Sequence, residues 1–541
     1  MTLDPRVVPD SESPAPSSAA EAANASLEAP AGDQSPRPQR GDELELSIDS
    51  LAFGGEGVAR LGDGGYVVFV AGAIPGDRVR AVVHKRKRNY AHARAVEILE
   101  PSPERIAPLA DHPGVPWQVL PYERQLLVKR AQVDDALRRI GRLDGFELEE
   151  IVPALEQWRY RNKLEYSFGN DDSDGGLVCG FHAPAGGNAV VAIEDCLLAS
   201  ERGNLAREVA LSWCRAQGLT AWERGQGRRG SSSEDRQRTG SAPDGRACLR
   251  NLVVREGRRT GKLQIRIVTT EGELEAGSLA QALSDALGES LSGVLWTRSR
   301  SLAETTAGGD TELVWGEGEL PERLGELDLR ISPEAFFQTN TEMAELLYGI
   351  VVEYAALEGW ERVYDLYSGI GTIALTLASR AGELWGIELI EEAVADAIAA
   401  ARRNEIPGVQ FFAGDTRLAL PELVERAGRP DVLVVDPPRA GLSQKVVRRI
   451  IEASPKRIVY VSCNPTTLAP NAAQLVEAGW VLRKVRPVDM FPQTHHIECV
   501  ALFERPPGGP VQAESVRTSP DELASSGPLA SADSLASTDP E

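Results

Sequence analysis

Hydrophobic positions follow two rhythms along this chain. From Glu43 to about Pro101 they alternate with polar ones in short stretches, as in Tyr66–Val70 and Val79–Val83. Glycine turns at Gly54-Gly55, Asp63-Gly64-Gly65 and Pro75-Gly76 interrupt them. Period-two alternation with close turns predicts a small, closed, OB-like β-barrel. From 361 onward the apolar runs RVYDLY, ELWGIEL, VQFFAGD, DVLVVDPP and RIVYVSC are separated by helix-length segments. Strands buried on both faces and joined by helices predict an α/β domain with a parallel, doubly wound, Rossmann-like sheet. Residues 150 to 330 read as a mixed α+β region. Before it, PYERQLLVKRAQVDDALRRIG (121–141) has helical period, with Leu126, Val128, Val133 and Leu137 on the predicted apolar face and a stop at Gly141. Thr339-x-x-Glu342 reads as a capping box opening another helix, along which Met343, Leu346, Leu347, Ile350 and Val351 recur at helical spacing.

Composition sets the class. The 541 residues are 42% hydrophobic and 26% charged, enough for several domains at roughly 100–200 residues each. No apolar run reaches the roughly 18 residues that span a bilayer. The start lacks the basic and apolar regions of a secretory signal. A cytoplasmic monomer without membrane contact is expected. The Ala/Pro/Ser/acidic ends, 1–41 and 506–541, are predicted to be disordered, and 223–247 a flexible insertion. Boundaries follow: a barrel over 42–103, a central domain over 104–330 whose helix 121–141 packs on the last domain, and that α/β domain over 331–505.

Charge and cysteine content exclude more than they suggest. The net charge of −22 argues against a general polyanion binder. Two local stretches run the other way: HKRKRNYAHAR (84–94), and YRNKLEYSFG (160–169), where Arg161 and Lys163 interleave with Tyr160, Tyr166 and Phe168. Cations with aromatics between them suit phosphates and stacked bases, although a charged strand edge has the same composition. The six cysteines at 179, 196, 214, 248, 463 and 499 form no C-x-x-C pair, so neither a zinc ribbon nor a disulfide framework is indicated.

Chemistry gathers at the strand ends, where ligands collect in such sheets. In DLYSGIGTIAL, Gly369 and Gly371 permit close backbone approach. About 20 residues on, Glu388 can hold ribose hydroxyls, and Asp415 in AGDTR lies at the third strand's tip. A dinucleotide site usually has a third glycine for its pyrophosphate, and it is missing here. An adenosine without phosphates fits better, and S-adenosylmethionine is the common one. Cys463, at the end of RIVYVSCNPTTL, stands at another strand tip.

The motifs SPEAFFQTN, DLYSGIGTIAL, GIELIEEAVADA, DPPRAGL, SCNPTTLA and PVDMFPQTHHIE, in this order, resemble those of the RNA uracil-C5 methyltransferases, which form 5-methyluridine in tRNA and 23S rRNA. The barrel is similar to a TRAM domain, and the resemblance spans roughly 42–505. It implies that Gln338, Tyr367, Gly369, Glu388 and Asp415 bind S-adenosylmethionine. It implies further that Asp436 reads the uracil edge, that Arg161 and Lys163 contact RNA, and that Cys463 is the nucleophile and Glu498 the base. Those types suit the chemistry: a thiolate added at C6 makes C5 nucleophilic, and a carboxylate then removes the C5 proton. Many members hold an iron–sulfur cluster on four cysteines. Here only Cys196 matches, so no cluster is expected. Pro470-Asn471 replaces the usual Arg-Asp after the nucleophile. The alternatives are an exocyclic-amine methyltransferase, which would need no cysteine, and a non-catalytic RNA-binding or RNA-folding protein.

Overall fold

The computed structural model describes residues 37–62, 65–170, 176–183, 189–222, 245–301, 303 and 305–506. Most of the two expected tails and of the 223–247 insertion lies outside the described residues.

Six strands form the first sheet: β1 (Glu43–Ser47), β2 (Ser50–Leu51), β3 (Gly57–Leu61), β4 (Tyr66–Ala71), β5 (Arg78–Arg86) and β6 (Tyr90–Glu100), in the order β1-β5-β6-β4-β3-β2. Only Ile48 and Asp49 separate β1, which pairs with β5, from β2, which pairs with β3. One bent strand therefore closes the sheet around Leu46, Val68, Val70, Val79 and Val83. Buried Asp77 ties the closure. Its carboxylate accepts from Ile74 N (2.8 Å), Ser102 N (2.8 Å) and Arg105 Nη2 (2.6 Å).

Helix α1 (Tyr122–Asp135) continues as one π-helical turn, Ala136–Ile140. Its buried positions are Gln125, Lys129 and Val133, while Leu126 and Val128 are only half-buried. Val133 and Leu137 of the expected apolar face are buried in the core, but Gln125 and Lys129 take the buried places expected for Leu126 and Val128, and their partners appear below. After it, β7 (Glu147–Leu148) joins the last sheet. The central sheet comprises β8 (Lys163–Asn170), β9 (Leu177–His182), β10 (Val190–Ala192), β11 (Leu249–Gly257), β12 (Lys262–Thr269), β13 (Leu291–Arg298) and β14 (Asp310–Gly316), ordered β10-β9-β8-β11-β12-β13-β14. Helices α2 (Glu201–Ala216) and α3 (Ala276–Leu287) share its core.

A hairpin, β15 (Leu320–Leu324) and β16 (Leu327–Ile331), leads to α4 (Thr341–Ala355). The cap of α4 is Asn340, whose side chain accepts from Met343 N, so the Thr339–Glu342 capping box is corrected. Glu342 instead pairs with Arg258 at 3.1 Å. Next come β17 (Arg362–Leu366), α5 (Thr372–Ala378), β18 (Glu383–Glu388), α6 (Glu391–Arg403), β19 (Val409–Ala413), α7 (Thr416–Ala427), β20 (Val432–Val435), α8 (Gln444–Ala453), β21 (Arg457–Ser462), α9 (Pro465–Glu477), β22 (Val481–Val488) and β23 (Glu498–Glu504). The sheet order is β19-β18-β17-β20-β21-β23-β22-β7. The first five strands are parallel and doubly wound, but β23 runs antiparallel to both β21 and β22. Those five parallel strands are the five apolar runs from which the doubly wound sheet was expected, and β22 and β23 add an antiparallel edge to it. The antiparallel turn has a chemical consequence, because it aims the start of β23 at the end of β21.

Candidate active site

The register of β21 against β23 pairs Ser462 with Cys499. One step further brings Cys463, just past β21, beside Glu498, the first residue of β23. Val435 of β20 pairs with Tyr460, so Asp436, the next residue, ends one step further along the same edge. Three strands thus deliver a thiol and two carboxyls to one place. Asn464 fixes the turn: its side chain caps α9 at Thr466 N (3.0 Å) and donates to Arg439 O (3.1 Å). Asn471, from the departure noted above, is buried and joins α9 to the end of the DPPRAGL loop. It accepts from Leu442 N (2.8 Å) and Tyr460 OH (3.0 Å). Gly441 must be glycine here, because its φ is +72° and a Cβ would lie 2.9 Å from the Asn471 side-chain oxygen.

Burial sets the charge states. Glu498 is only 3% exposed, and burial, then the nearby Asp436, push its carboxyl well above the usual range. Burial raises Asp436 to about 7. Cys463 is half-buried, and burial, Glu498 and Asp436 raise its thiol to about 12. Arg439 opposes both acids, favouring thiolate at Cys463 and carboxylate at Glu498. The resting site holds a thiol.

The cofactor cradle lies at the ends of β17 and β18. Gly369 (φ 54°), Gly371 (φ 81°) and Tyr367 (φ 66°) turn the chain back between β17 and α5. A Cβ at Gly371 would meet the Phe411 ring at 2.8 Å. Glu388 collects backbone amides, accepting from Gly369 N (3.0 Å), Leu389 N (2.7 Å) and Ile390 N (3.0 Å). Buried Asp365 accepts from Ala374 N at 3.1 Å through one oxygen, while its other oxygen has no partner. Burial and Asp436 hold its carboxyl well above the ordinary range. An orphaned buried carboxyl oxygen beside a glycine turn and a ribose-type acid fits the cationic amino-acid end of S-adenosylmethionine. Sequence reading missed Asp365, although its place at the head of DLYSGIG was the available signal.

Other expected residues land unevenly. Asp415 caps α7 at Arg417 N (2.9 Å) and pairs with the Arg417 guanidinium, so its carboxylate is already engaged. Gln338 is buried on the loop before α4, where its carbonyl accepts from Asn162 Nδ2 (2.8 Å). Tyr160, Tyr166 and Phe168 are core residues, 1%, 0% and 4% exposed, so the stacking role for these aromatics is corrected. Lys163 is paired with Glu165 at 2.6 Å, and Arg161 Nε donates to Lys163 O at 3.1 Å. Both still line a cavity of about 520 Å³, with Phe336, Thr339, Thr494 and His496 also on its wall. It opens between the central sheet, the FFQTN loop and the HHIE segment. Sequence reading also missed Arg439 and His496, which separate motifs carried into the site together.

A cluster does not fit the residues present. Cys196 Sγ lies 3.3 Å from His112 Nε2 in a buried contact. Among the described residues no three His, Cys, Asp or Glu side chains are grouped to hold a metal. Among them, too, no helix is long and apolar enough to cross a membrane.

Residues 317–506 match the tRNA (uracil-5-)-methyltransferase family model, and residues 37–96 the TRAM domain. An RNA methyltransferase of Bacteroides thetaiotaomicron is 38% identical over 475 residues, covering 84% of this chain and 100% of that protein. One from Chlorobaculum tepidum is 35% identical, covering 88% of this chain and 100% of the other. The crystal structure of Pyrococcus abyssi tRNA (uracil-54, C5)-methyltransferase with S-adenosyl-L-homocysteine is 27% identical, with a TM-score of 0.66 over 85% of this chain and 99% of that one. Fold, cradle and relatives agree: the chain belongs to the S-adenosylmethionine-dependent RNA uracil-C5 methyltransferases that carry an N-terminal TRAM domain.

Proposed function

We propose that this enzyme methylates C5 of a uridine in tRNA or 23S rRNA through a covalent bond between Cys463 and C6. The observation that carries the reading is the strand register, which sets a buried carboxyl, Glu498, beside the Cys463 thiol just past β21, with Asp436 one strand away. A flipped uracil entering that corner would meet Asp436 along its polar edge. Cys463, its thiol proton lost to solvent, adds to C6 as the thiolate, and the C5=C6 electron pair moves to C5 and O4. S-adenosylmethionine supplies the electrophilic methyl group that C5 takes. Glu498 then accepts the C5 proton, the C5=C6 bond re-forms and the Cys463 sulfur leaves. A buried, desolvated carboxylate is a strong base for that last step. Arg161 and Lys163 line the cavity next to the corner, which suits the flanking nucleotides.

Glu498→Gln keeps the shape but cannot take the proton. A protein–RNA adduct carrying the transferred methyl should therefore accumulate on tRNA or 23S rRNA transcripts and survive a denaturing gel, and Cys463→Ala in that background should abolish it. Wild-type turnover by Glu498→Gln would remove Glu498 from the mechanism. Full activity of Cys463→Ala would favour amine methylation instead.

A further inference from the structure

Residues 489–493, in the loop between β22 and β23, are gripped by side chains that no catalytic step requires. Lys129 Nζ donates to Asp489 Oδ1 (2.6 Å) and to Phe491 O (3.0 Å). Tyr122 OH donates to Asp489 Oδ2 (2.9 Å) and accepts from Ala154 N (2.7 Å). Gln125 Nε2 donates to Gln493 Oε1 (2.7 Å), and Gln125 Oε1 accepts from Gln493 N (2.9 Å). Asn340 Nδ2 reaches Met490 O (3.0 Å), and Tyr160 OH reaches Pro492 O (3.1 Å). Tyr122, Gln125 and Lys129 are spaced three and four apart, so they share one face of α1. Both Lys129 and Asp489 side chains are 0% exposed. Stability is a poor explanation, because desolvation offsets much of a buried ion pair's attraction and an apolar replacement is often neutral or better.

The held segment ends in the active site. The Phe491 ring meets His496 edge-on, centroids 6.0 Å apart. Thr494 OH donates to Phe491 O (2.8 Å) and accepts from His496 N (3.2 Å). Nη2 of Arg439 stands 3.5 Å from Nδ1 of His496, a long contact. Burial, reinforced by nearby cations and His495, holds His496 down at about 2, so its ring stays neutral and can accept from the guanidinium. The groups facing Cys463 are Glu498 on β23, Asp436 after β20, Arg439 on the following loop, and Tyr460 and Cys499 alongside.

Asn464, next to Cys463, holds the Arg439 carbonyl at 3.1 Å. We infer that Lys129, with Tyr122 and Gln125, positions Phe491 and His496 so that Arg439 keeps its guanidinium on the thiol's side of the corner and promotes deprotonation of Cys463. This rests on the reading of Cys463 as the nucleophile. The three α1 side chains are positioning residues: they act through the loop and touch neither thiol nor substrate.

The test is the pH dependence of Cys463 alkylation by iodoacetamide, in which the thiolate displaces iodide, followed by peptide mass spectrometry on the full chain. Lys129→Met and the double variant Lys129→Met/Asp489→Leu should both shift the rate profile upward by about half to one pH unit, roughly 3- to 10-fold slower at fixed pH. Gln125→Leu, which spares the ion pair, should shift it the same way should the Lys129 variants fail to fold. S-adenosylmethionine affinity should stay within about twofold, because the side-chain hydrogen bonds of Tyr122, Gln125 and Lys129 go to residues 117–120, Ala154 and 489–493 rather than to the cradle. A folded variant with an unshifted profile would overturn the inference and leave the pair purely structural. Transcripts of tRNA and 23S rRNA made with 5-fluorouridine separate the two claims, since fluorine at C5 cannot leave as a proton does. If the wild-type protein forms no adduct with them, the uridine reading fails, while the alkylation shift still decides the positioning role.

Discussion

The positions of Cys463 and Glu388 were legible because each stands where a strand stops, and a strand end is readable from where an apolar run breaks. Glu498 opens β23 and was singled out only through the resemblance. Arg439 and His496 were not legible, because their meeting depends on the antiparallel return of β23, which no local pattern encodes. Asp415 lies at the strand tip expected of it, and there its carboxylate also caps α7 and binds Arg417. Glu388 is different. It organises the cradle already, gathering Gly369, Leu389 and Ile390 amides at 2.7–3.0 Å, so a ribose would meet a fixed acceptor. Glu388→Ala should raise the dissociation constant for S-adenosylmethionine roughly 10- to 100-fold, as charge-assisted hydrogen bonds worth about 1.5–3 kcal/mol are lost. Asp415→Ala should change it by less than about threefold, since its main bonds serve the helix. Isothermal titration compares the two. Equal losses would return Asp415 to the cofactor's binding set.

Elements were read well where one face is apolar and poorly where a buried face is polar. The barrel strands alternate, so their inward residues were identifiable. Helix α1 buries Gln125 and Lys129 because residues 489–493 supply partners for them, and a hydrophobic periodicity cannot register that. The barrel has a polar anchor of its own in Asp77. Burial alone would raise its carboxyl, but the Arg105 guanidinium and the Ile74 and Ser102 amides outweigh it and hold Asp77 below the usual range. A depressed folded pKa contributes stability above the unfolded value, about 4, and that contribution is lost as pH falls through the folded value. Asp77→Ala should therefore lower hydrogen-exchange protection of the barrel amides at neutral pH by about 1.5–3 kcal/mol, with a smaller difference in acid. A pH-independent difference would mean that packing, not charge, carries Asp77. The His112–Cys196 contact gives an element-scale expectation of another kind. A cluster needs thiolates, and the one matching cysteine is buried with its thiol pushed upward by burial. Anaerobically purified protein should be colourless, and stoichiometric iron with sulfide would contradict that.

At the scale of the whole molecule, a net charge of −22 and an RNA substrate look incompatible until the charge is located. Residues 1–36 and 507–541 each carry six carboxylates and one arginine, so ten of those negative charges belong to the two ends of the chain. The barrel does the reverse. Lys85, Arg86, Lys87 and Arg88 are exposed together at the tip where β5 turns into β6. The barrel is also docked to the catalytic corner: Gln132 Nε2 of α1 donates to Ala52 O (3.1 Å), and a Cβ at Gly55 would lie 2.9 Å from the His495 side chain. A basic edge on a barrel fixed to the reacting corner can hold RNA phosphates while base selection happens elsewhere. Replacing Lys85, Arg86, Lys87 and Arg88 with Ala should weaken tRNA binding. It should also flatten the plot of log affinity against log salt by about two to three, at roughly 0.7–0.9 for each phosphate no longer neutralised. Affinity for S-adenosylmethionine and the melting temperature should hold, because all four residues are exposed. A weakened affinity with the wild-type slope would place the defect in shape rather than charge. An unchanged affinity and slope would reduce the tip to a solvated edge that keeps the barrel from pairing with its neighbours.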